Sequence, residues 1–311
     1  MRDFMIKRVL QAIGVIFCIS LITFFVLNIV PGDPVRIMVG DMADENTIET
    51  VRHTMGLDRP VYEQYADWLL NMLHGDFGTS YTQNKAVTSL MAKSFVVTAQ
   101  LSGFAYLFAL VVGITVGVVA AINRGKWIDR TLMSLSIFGI SAPVFWMAII
   151  LQIVFALNLK WFPLSGSKNF SYYVLPALAL GVRYAASISR VTRTSMLEVL
   201  GQDYMRTAEA KGIKRGVIVI KHALRNALIP IITIAGTELG NIFTGSILIE
   251  SIFSMPGMGK LMLDAINARD LPLIEGGVMY IAALCVVIYL VVDILYAVVD
   301  PRIRLGEGAS E

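Results

Sequence analysis

The sequence predicts an all-α membrane protein, a polytopic bundle of six transmembrane helices with both termini cytoplasmic and short external helices. Of the 311 residues, 56% are hydrophobic and only 16% are charged, whereas soluble domains carry about 25% charged residues. The apolar residues are also collected into long runs, each close to the roughly 20 residues that a helix needs to cross a bilayer. Basic residues are concentrated between these runs in a pattern that indicates one side of the membrane.

Six apolar runs are the predicted spans. The first carries no charge and leads directly into a Pro-Gly-Asp-Pro turn rather than a cleavage site, so we expect it to be retained. The fourth is interrupted by arginines, and a charge at mid-bilayer costs about 2.5–3.5 kcal/mol. We therefore expect the fourth helix to leave the bilayer after Ala186. The runs cover residues 9–30, 95–122, 131–159, 173–196, 227–250 and 276–299.

The basic residues fall on one side of a six-span bundle. They precede span one, separate spans two and three and spans four and five, and follow span six. The positive-inside rule assigns that side to the cytoplasm. These residues are Arg2, Lys7, Arg8, Arg124, Lys126, Arg130, Arg206, Lys211, Lys214, Arg215, Lys221, Arg225, Arg302 and Arg304.

The longest loop, residues 31–95, lies on the opposite side in this scheme and is rich in acids. Pro60 is suited to the start of a helix and Gly75 to its end, and apolar residues between them recur at three-to-four spacing. This pattern predicts a short external helix on the mouth of the bundle. A second external stretch, residues 251–275, is expected to be re-entrant or interfacial.

The sequence offers no sign of enzymatic chemistry. Its three histidines lie outside the predicted spans, and the zinc pattern His-Glu-x-x-His is absent. The string from Gly257 to Leu261 lacks the first glycine and the Ser/Thr of a phosphate loop. A net charge of +3 without a dense basic patch argues against nucleic-acid binding. We predict no catalytic residue, no metal site and no cofactor in this chain.

Polar residues inside span five are the candidates for a solute path. Glu238 and Asn241 share one helical face, with Thr237 and Thr244 beside them. Intramembrane carboxylates usually face a bundle interior or a wet cavity. Two interpretations stay open, a stripe that lines the route of a polar substrate and hydrogen-bonding contacts between helices. Asp293 in span six is interpreted as an interfacial or helix-pairing acid.

The basic segment 197–228 is neither low-complexity nor rich in Gly and Ser. Its pattern predicts the end of span four, a short helix from Tyr204 that stops at Gly212, and a further helix from Val217 that ends before Pro230. A compact docking surface for another protein is favoured over a solvated loop that serves only topology.

This segment resembles the EAA loop of ABC importer permeases, in the form found in the dipeptide/oligopeptide/nickel group. The general loop has Glu-Ala-Ala, three residues, Gly, nine residues and then Ile-x-Leu-Pro. Gly212 takes the place of the glycine, and residues 206–208 (Arg-Thr-Ala) stand at the Glu-Ala-Ala positions. His222 and Arg225 stand at the Ile and the Pro. These departures are the form that the peptide group itself uses.

Further segments similar to this group occur in order along nearly the whole chain. Each is weak alone, but together and in this order they are specific. They are residues 24–34, 55–60, 75–80, 143–146, 175–178, 250–259 and 300–302.

The resemblance implies a type I ABC importer permease, a multi-pass subunit of the bacterial inner membrane surrounded by lipid. Its implied partners are a second homologous permease, two cytoplasmic ATPase subunits that bind ATP and Mg²⁺, and an extracytoplasmic solute-binding protein. The implied solutes are di- or oligopeptides or a related small solute, of which nickel is one candidate. Residues implied in coupling to an ATPase are Arg206, Thr207, Ala208, Ala210, Lys211, Gly212, Arg215, His222, Arg225 and Asn226.

We expect three regions in the chain: an N-terminal helix with its external loop over 1–94, a five-helix type-1 core over 95–300 and a cytoplasmic tail over 301–311. The alternative function is an ion-coupled secondary transporter, which would predict an internal inverted repeat. No convincing repeat relates the two halves. A membrane enzyme is the second alternative, and the missing histidine, zinc and nucleotide patterns count against it.

Overall fold

The computed structural model describes residues 2–29, 34–39 and 43–299. These residues form helices and connecting turns, and the described part contains no strand beyond one isolated bridge between Thr79 and Ala86. The helices are α1 (Arg2–Ile29), α2 (Pro34–Val39), α3 (Glu45–Thr54), α4 (Val61–Leu73), α5 (Val87–Ile122), α6 (Trp127–Ser141), α7 (Val144–Leu151), α8 (Ser171–Leu200), α9 (Asp203–Ala210), α10 (Arg215–Val217), α11 (Arg225–Ile252), α12 (Met258–Ala268) and α13 (Leu271–Val299). Two π-helical segments, Gln152–Asn158 and Ile218–Leu224, follow α7 and α10.

Five stretches of the described chain are long and apolar enough to cross a membrane. They are Ile6–Leu27, Val87–Ile122, Ser171–Leu200, Arg215–Phe243 and Leu271–Ile294. A sixth span is present if the bent pair Trp127–Ser141 and Val144–Asn158 counts as one. The predicted all-α, multi-span bundle is confirmed, while the side on which the termini lie stays a prediction.

The third predicted span is bent rather than straight. Its two helices meet at 106°, and the break lies at Ala142, which has an extended backbone with φ −69° and ψ 131°. Pro143 explains the break, because proline has no N–H to donate and disfavours helical dihedrals in the residue before it. The apolar run 131–159 shows only that the segment is long enough to cross.

The fourth predicted span is one uninterrupted helix, α8, which continues past Ala186 to Leu200, and its exit from the bilayer after Ala186 stays a prediction. The arginines that interrupt its apolar pattern are accommodated at its surface. Arg183 and Arg190 are exposed, and Arg193 forms an ion pair with Asp129. A charged residue therefore interrupts the hydropathy pattern here without ending the helix.

The chain divides into two compact units. Among the described residues, unit one contains those up to 97 together with 256–287, and unit two contains 98–255 and 288–299. In unit one, α5, α12 and α13 share a core to which Met91, Met258 and Leu273 contribute. A Cβ added at Gly276 would lie 2.9 Å from Cγ1 of Val87, so glycine lets α13 approach α5 closely.

Unit two is built around α8. A Cβ added at Gly117 of α5 would lie 2.5 Å from Cβ of Thr192 on α8. A Cβ added at Gly181 would lie 2.8 Å from the carbonyl oxygen of Ala105. Small residues at both contacts therefore bring the backbones of α5 and α8 together, which is typical of helix packing in membranes.

The helix predicted between Pro60 and Gly75 is present as α4. Pro60 directly precedes it, and Gly75 follows with a left-handed φ of +81° that suits glycine. Aromatic side chains hold α4 against α1, where the ring centroids of Phe24 and Tyr65 lie 5.3 Å apart. In the second predicted external stretch the structure places α12.

The helix predicted to end before Pro230 does not end there. After the π-helical segment, α11 runs from Arg225 through Pro230 to Ile252. Proline removes one backbone hydrogen bond from a helix, and a long membrane helix tolerates that loss when its surroundings hold the remaining turns. The prediction that Gly212 stops the short helix is confirmed, since α9 ends at Ala210 and Gly212 has φ +75°.

Candidate functional site

Residues 203–226, named here the coupling segment, carry the residues implied in contact with an ATPase. Ten such residues were predicted, and the structure places most of them at the surface. Those exposed are Arg206, Thr207, Ala210, Lys211, Gly212, Arg215, Arg225 and Asn226. His222 is half-buried, and Ala208 is buried.

The inner face of α9 is anchored in a core of this chain. Met205, 2% exposed, and Ala208 are buried three residues apart on one face of the helix. They belong to a cluster with Ala121 at the end of α5, Met196 near the end of α8, and Ile218 of the π-helical segment. Ala208 therefore contacts its own chain and lets α9 pack closely, whereas its exposed neighbours are available to a partner.

Side-chain contacts within the coupling segment join its helices to one another. The Asn226 Nδ2 group donates to the Tyr204 hydroxyl at 3.1 Å, which joins the start of α9 to the start of α11. Arg206 Nη1 lies 3.5 Å from Asp203 Oδ1. At Gly212 an added Cβ would meet nothing within 4 Å, so the positive φ, and not crowding, is what favours glycine there.

An ion pair between the partly buried Arg193 and the buried Asp129 is not indicated by the sequence. Arg193 Nε and Nη2 donate to the two carboxylate oxygens of Asp129 at 2.6 and 2.8 Å, and the Gly125 N–H donates to Asp129 Oδ2 at 2.9 Å. The two-point geometry is the strong form of an arginine–carboxylate pair. The pair joins the first turn of α6 to α8. In the sequence Arg193 was visible only as an interruption of span four.

The polar stripe on α11 is partly assembled. Asn241 Nδ2 donates to Glu238 Oε2 at 3.1 Å, and the Thr237 hydroxyl donates to the Thr233 carbonyl of its own helix at 3.1 Å. Asn241 and Thr237 are exposed in this chain, and Glu238 is half-buried. The side chain of Thr244 lies outside the described residues. Asp293 is half-buried on α13.

Two tyrosines that the sequence did not single out hold α11 beside the stripe. The Tyr184 hydroxyl on α8 donates to the carbonyl of Asn241, and the Tyr106 hydroxyl on α5 donates to the carbonyl of Ala235, each at 3.0 Å. A tyrosine inside an apolar run gives no sequence signal of its partner. These bonds set the position of α11 relative to α5 and α8 at the level of Glu238.

A second buried carboxylate, Asp270, organises unit one. It accepts hydrogen bonds from the Ser80 hydroxyl at 2.6 Å, the Thr82 hydroxyl at 2.7 Å, and the backbone N–H groups of Thr82 and Tyr81 at 3.1 and 3.2 Å. Burial would raise the pKa of Asp270, but these donors outweigh it and lower the pKa below its usual range. The carboxylate thus ties residues 80–82 to the turn between α12 and α13.

A cavity of about 630 Å³ lies beside this turn in unit one. Its lining includes Arg59, Asp67, Trp68, Tyr81 and Glu275. Burial, helped by the carboxylates of Glu275 and Asp270, raises the pKa of Tyr81 to about 12. Arg59 and Asp67 form an ion pair of 2.7 Å at the cavity. Among the described residues, no three His, Cys, Asp or Glu side chains are grouped so that they could hold a metal ion.

Comparison with known proteins identifies the family. Residues 113–305 match the binding-protein-dependent transport system inner membrane component, and residues 1–102 match the N-terminal region of such membrane components. The glutathione transport system permease protein GsiC of Escherichia coli K12 is 40% identical over 304 residues, which cover 98% of this chain and 99% of that protein. GsiC of Shigella flexneri serotype 5b matches with the same identity and coverage.

Solved structures show the same fold at low sequence identity. A chain of the methionine ABC transporter MetNI, in an inward-facing conformation, matches with TM-score 0.59 and 18% identity over 68% of this chain and 96% of that chain. A chain of an amino acid ABC transporter matches with TM-score 0.51 and 16% identity over 69% and 94%.

These matches decide between the functions considered from the sequence. The family sets aside the ion-coupled secondary transporter and the membrane enzyme, and ATP hydrolysis takes place in separate ATPase subunits. The chain belongs to the binding-protein-dependent transport system inner membrane components and is a multi-pass inner-membrane permease subunit of an ABC importer.

Proposed function

We propose that this permease carries a small peptide-like solute, with glutathione as the first candidate and di- and oligopeptides next. The observation that carries the proposal is the 40% identity to glutathione permeases over 98% of the chain. A permease that carries short peptides or nickel complexes is also in keeping with the segments that resemble the dipeptide/oligopeptide/nickel group. The solute-binding protein supplies part of the selection among these solutes.

In the proposed assembly, this chain pairs with a second, homologous permease above two ATPase subunits. The coupling segment lies on the cytoplasmic side, as the basic residues around it indicate. An extracytoplasmic binding protein delivers solute to the opposite side, where residues 31–95 lie. Residues 95–300 form the core of the permease in this proposal, and residues 1–94 form its N-terminal helix and external loop.

The packing of α9 supports a mechanical role for the coupling segment. An ATPase that holds the exposed residues Arg206 and Lys211 would move α9 as a body. Because Met205 and Ala208 are embedded against the ends of α5 and α8, those helices would move with α9. Rigid-body transmission of this kind converts closure of the ATPases into a change of access across the membrane.

Uptake by a strain that lacks the permease tests the solute. The strain carrying this chain and its partner subunits should accumulate labelled glutathione in an ATP-dependent manner, in competition with unlabelled glutathione. The same strain is offered a panel of dipeptides, longer peptides and nickel complexes. Uptake of a different member of the panel, with none of glutathione, would replace the candidate solute while leaving the importer in place.

The substitution Gly212→Val tests the coupling role. Because Gly212 has a positive φ and no crowding, valine should strain the turn after α9 without disturbing membrane insertion. Copurification with the ATPases and the amount in the membrane should persist, and solute-stimulated uptake should fall at least tenfold.

Gly75→Val is the matched control, because Gly75 also has a positive φ (+81°) and open space around it but lies outside the coupling segment. Equal uptake in the two variants would contradict the coupling role of the turn at Gly212.

For the polar stripe, we propose that Glu238 and Asn241 line the solute path. Glu238→Ala should change the rate or the selectivity of uptake, because the carboxylate and its hydrogen bond to Asn241 are lost. Unchanged uptake of every solute in the panel would assign the stripe to helix packing instead.

A further inference from the structure

A groove in unit two lies between the end of α5 and the start of the π-helical segment. It has a volume of about 510 Å³, within the range of about 300–1,000 Å³ typical of small-molecule sites. Its apolar lining includes Val118 and Ile122 from α5 and Val219 and Ile220 from the π-helical segment. Because this floor is apolar, the groove is suited to binding a hydrocarbon chain.

Two basic side chains complete the lining of the groove, Lys126 after α5 and Arg215 at the start of α10. Neither forms an ion pair with any described residue, and the buried acid nearest in sequence to Lys126, Asp129, is already held by Arg193. Both cationic groups are exposed. The site therefore combines an apolar floor with two cations that this chain leaves without an anionic partner among the described residues.

The groove also lies beside the ends of two candidate membrane-spanning stretches. The apolar stretch Val87–Ile122 finishes beside it, and the stretch Arg215–Phe243 begins beside it. Trp127, next to Lys126, is 74% exposed, and Ile220 is 68% exposed. Tryptophan is enriched at the level of lipid headgroups, which supports a place for the groove at the boundary between hydrocarbon and headgroups.

We propose that this groove binds an anionic phospholipid, with the headgroup phosphate between Lys126 and Arg215 and an acyl chain along the apolar floor. A phosphate accepts hydrogen bonds from both cations, and arginine suits it especially because its guanidinium can donate two parallel bonds. Basic pockets between membrane helices on the cytoplasmic side bind acidic headgroups by the same chemistry. The proposal does not depend on which solute the importer carries, and it assigns Arg215 to the lipid, leaving Arg206 and Lys211 for contact with the ATPase.

The test uses the complete transporter, permeases with their ATPases, in nanodiscs that contain a trace of photoactivatable phosphatidylglycerol in phosphatidylcholine. Labelling is mapped by peptide to residues 118–126 and 215–220. Unlabelled phosphatidylglycerol should compete for this labelling, whereas phosphatidylcholine and inorganic phosphate should not. Equal competition by phosphatidylcholine would overturn the assignment of an anionic site.

The substitutions Lys126→Gln and Arg215→Gln should each raise the half-maximal concentration of phosphatidylglycerol about fivefold, which corresponds to about 1 kcal/mol per basic residue. Lys126→Arg should keep the labelling. Lys160→Gln and Lys168→Gln remove the same charge at other exposed sites of unit two and should have no effect.

Two results would overturn the proposal. One is unchanged labelling in Lys126→Gln when the variant is present in the membrane in normal amounts. The other is crosslinking of the groove to an acidic segment of a partner subunit in the assembled complex, which would make it a protein interface.

Discussion

Two buried aspartates, one in each unit, keep their charge in different ways. Asp129 in unit two faces a full counter-charge, the guanidinium of Arg193, which donates to both of its oxygens. Asp270 in unit one has four neutral donors, two hydroxyls and two backbone N–H groups. The first arrangement joins two helices through a single pair of side chains, whereas in the second the carboxylate is bound by donors from three consecutive residues, 80–82.

The two units should therefore respond differently when one of these contacts is removed by substitution. A paired charge is left buried and uncompensated when its one partner is removed, so the loss is concentrated in a single residue. A carboxylate with several neutral donors loses only a part of its stabilisation when one of them is removed. Substitutions of Arg193 and Asp270 and a change of pH separate the two cases.

Arg193→Met should destabilise unit two by about 3–5 kcal/mol, because it strands the Asp129 carboxylate, whose side chain is 5% exposed. The measurement is the midpoint of thermal or SDS unfolding of the purified complex. Arg190→Met is the matched control, since Arg190 is exposed one turn earlier on α8. The double variant Arg193→Met with Asp129→Leu should recover much of the loss. A decrease of the unfolding midpoint in Arg193→Met no larger than that in Arg190→Met would contradict the stabilising role of the Asp129–Arg193 pair.

Asp270→Asn should destabilise unit one by about 1–3 kcal/mol. The new NH₂ group faces hydroxyl and N–H donors, so at least one hydrogen bond is replaced by a repulsive contact. Asp264→Asn on α12 is the control, since Asp264 forms only an exposed pair with Lys260 and such pairs contribute about 0–1 kcal/mol. Equal unfolding midpoints for these two variants would show that Asp270 does not organise the turn.

The pH dependence of unit one should follow Asp270. Its pKa is lower in the folded chain than the value of about 3.9 expected when unfolded. Its contribution to stability is therefore complete above the unfolded pKa and is lost as the pH falls through the lower folded pKa. The difference in unfolding midpoint between wild type and Asp270→Asn should shrink over that acidic window. A difference that stays constant from neutral pH to below pH 3 would mean that the carboxylate charge is not the source of the stability.

Much of the architecture was accessible from the sequence because it depends on local composition. Apolar length predicts spans, and Gly212 predicts the end of α9 through its freedom at positive φ. The sequence around Pro143 and Pro230 does not indicate whether the helix bends or continues at the proline. The same residue type bends the chain by 106° after α6 and is accommodated inside α11, because the outcome depends on which neighbours support the helix on either side.

The same distinction applies to the candidate site, where sequence spacing predicts contacts along one helix better than contacts between helices. Sequence spacing placed Glu238 and Asn241 on one face, and they do hydrogen-bond. It also assigned Ala208 to a partner surface, although Ala208 packs into its own chain with Met205. The position of an alanine in the sequence does not indicate which face of a short helix will be buried. That face is set by the cluster in which α9 packs, to which Ala121 of α5, Met196 of α8 and Ile218 contribute.

The class of the molecule, the presence of several long apolar spans, and the family, through a set of ordered local segments, all follow from the sequence. Each of these follows from residues that are close together in the chain. The contacts of Asp129 with Arg193, of Asp270 with residues 80–82, and of Tyr106 and Tyr184 with α11 are visible only in the folded chain. These contacts join residues from 57 to 190 positions apart, and no local pattern encodes a pairing that depends on how whole helices pack.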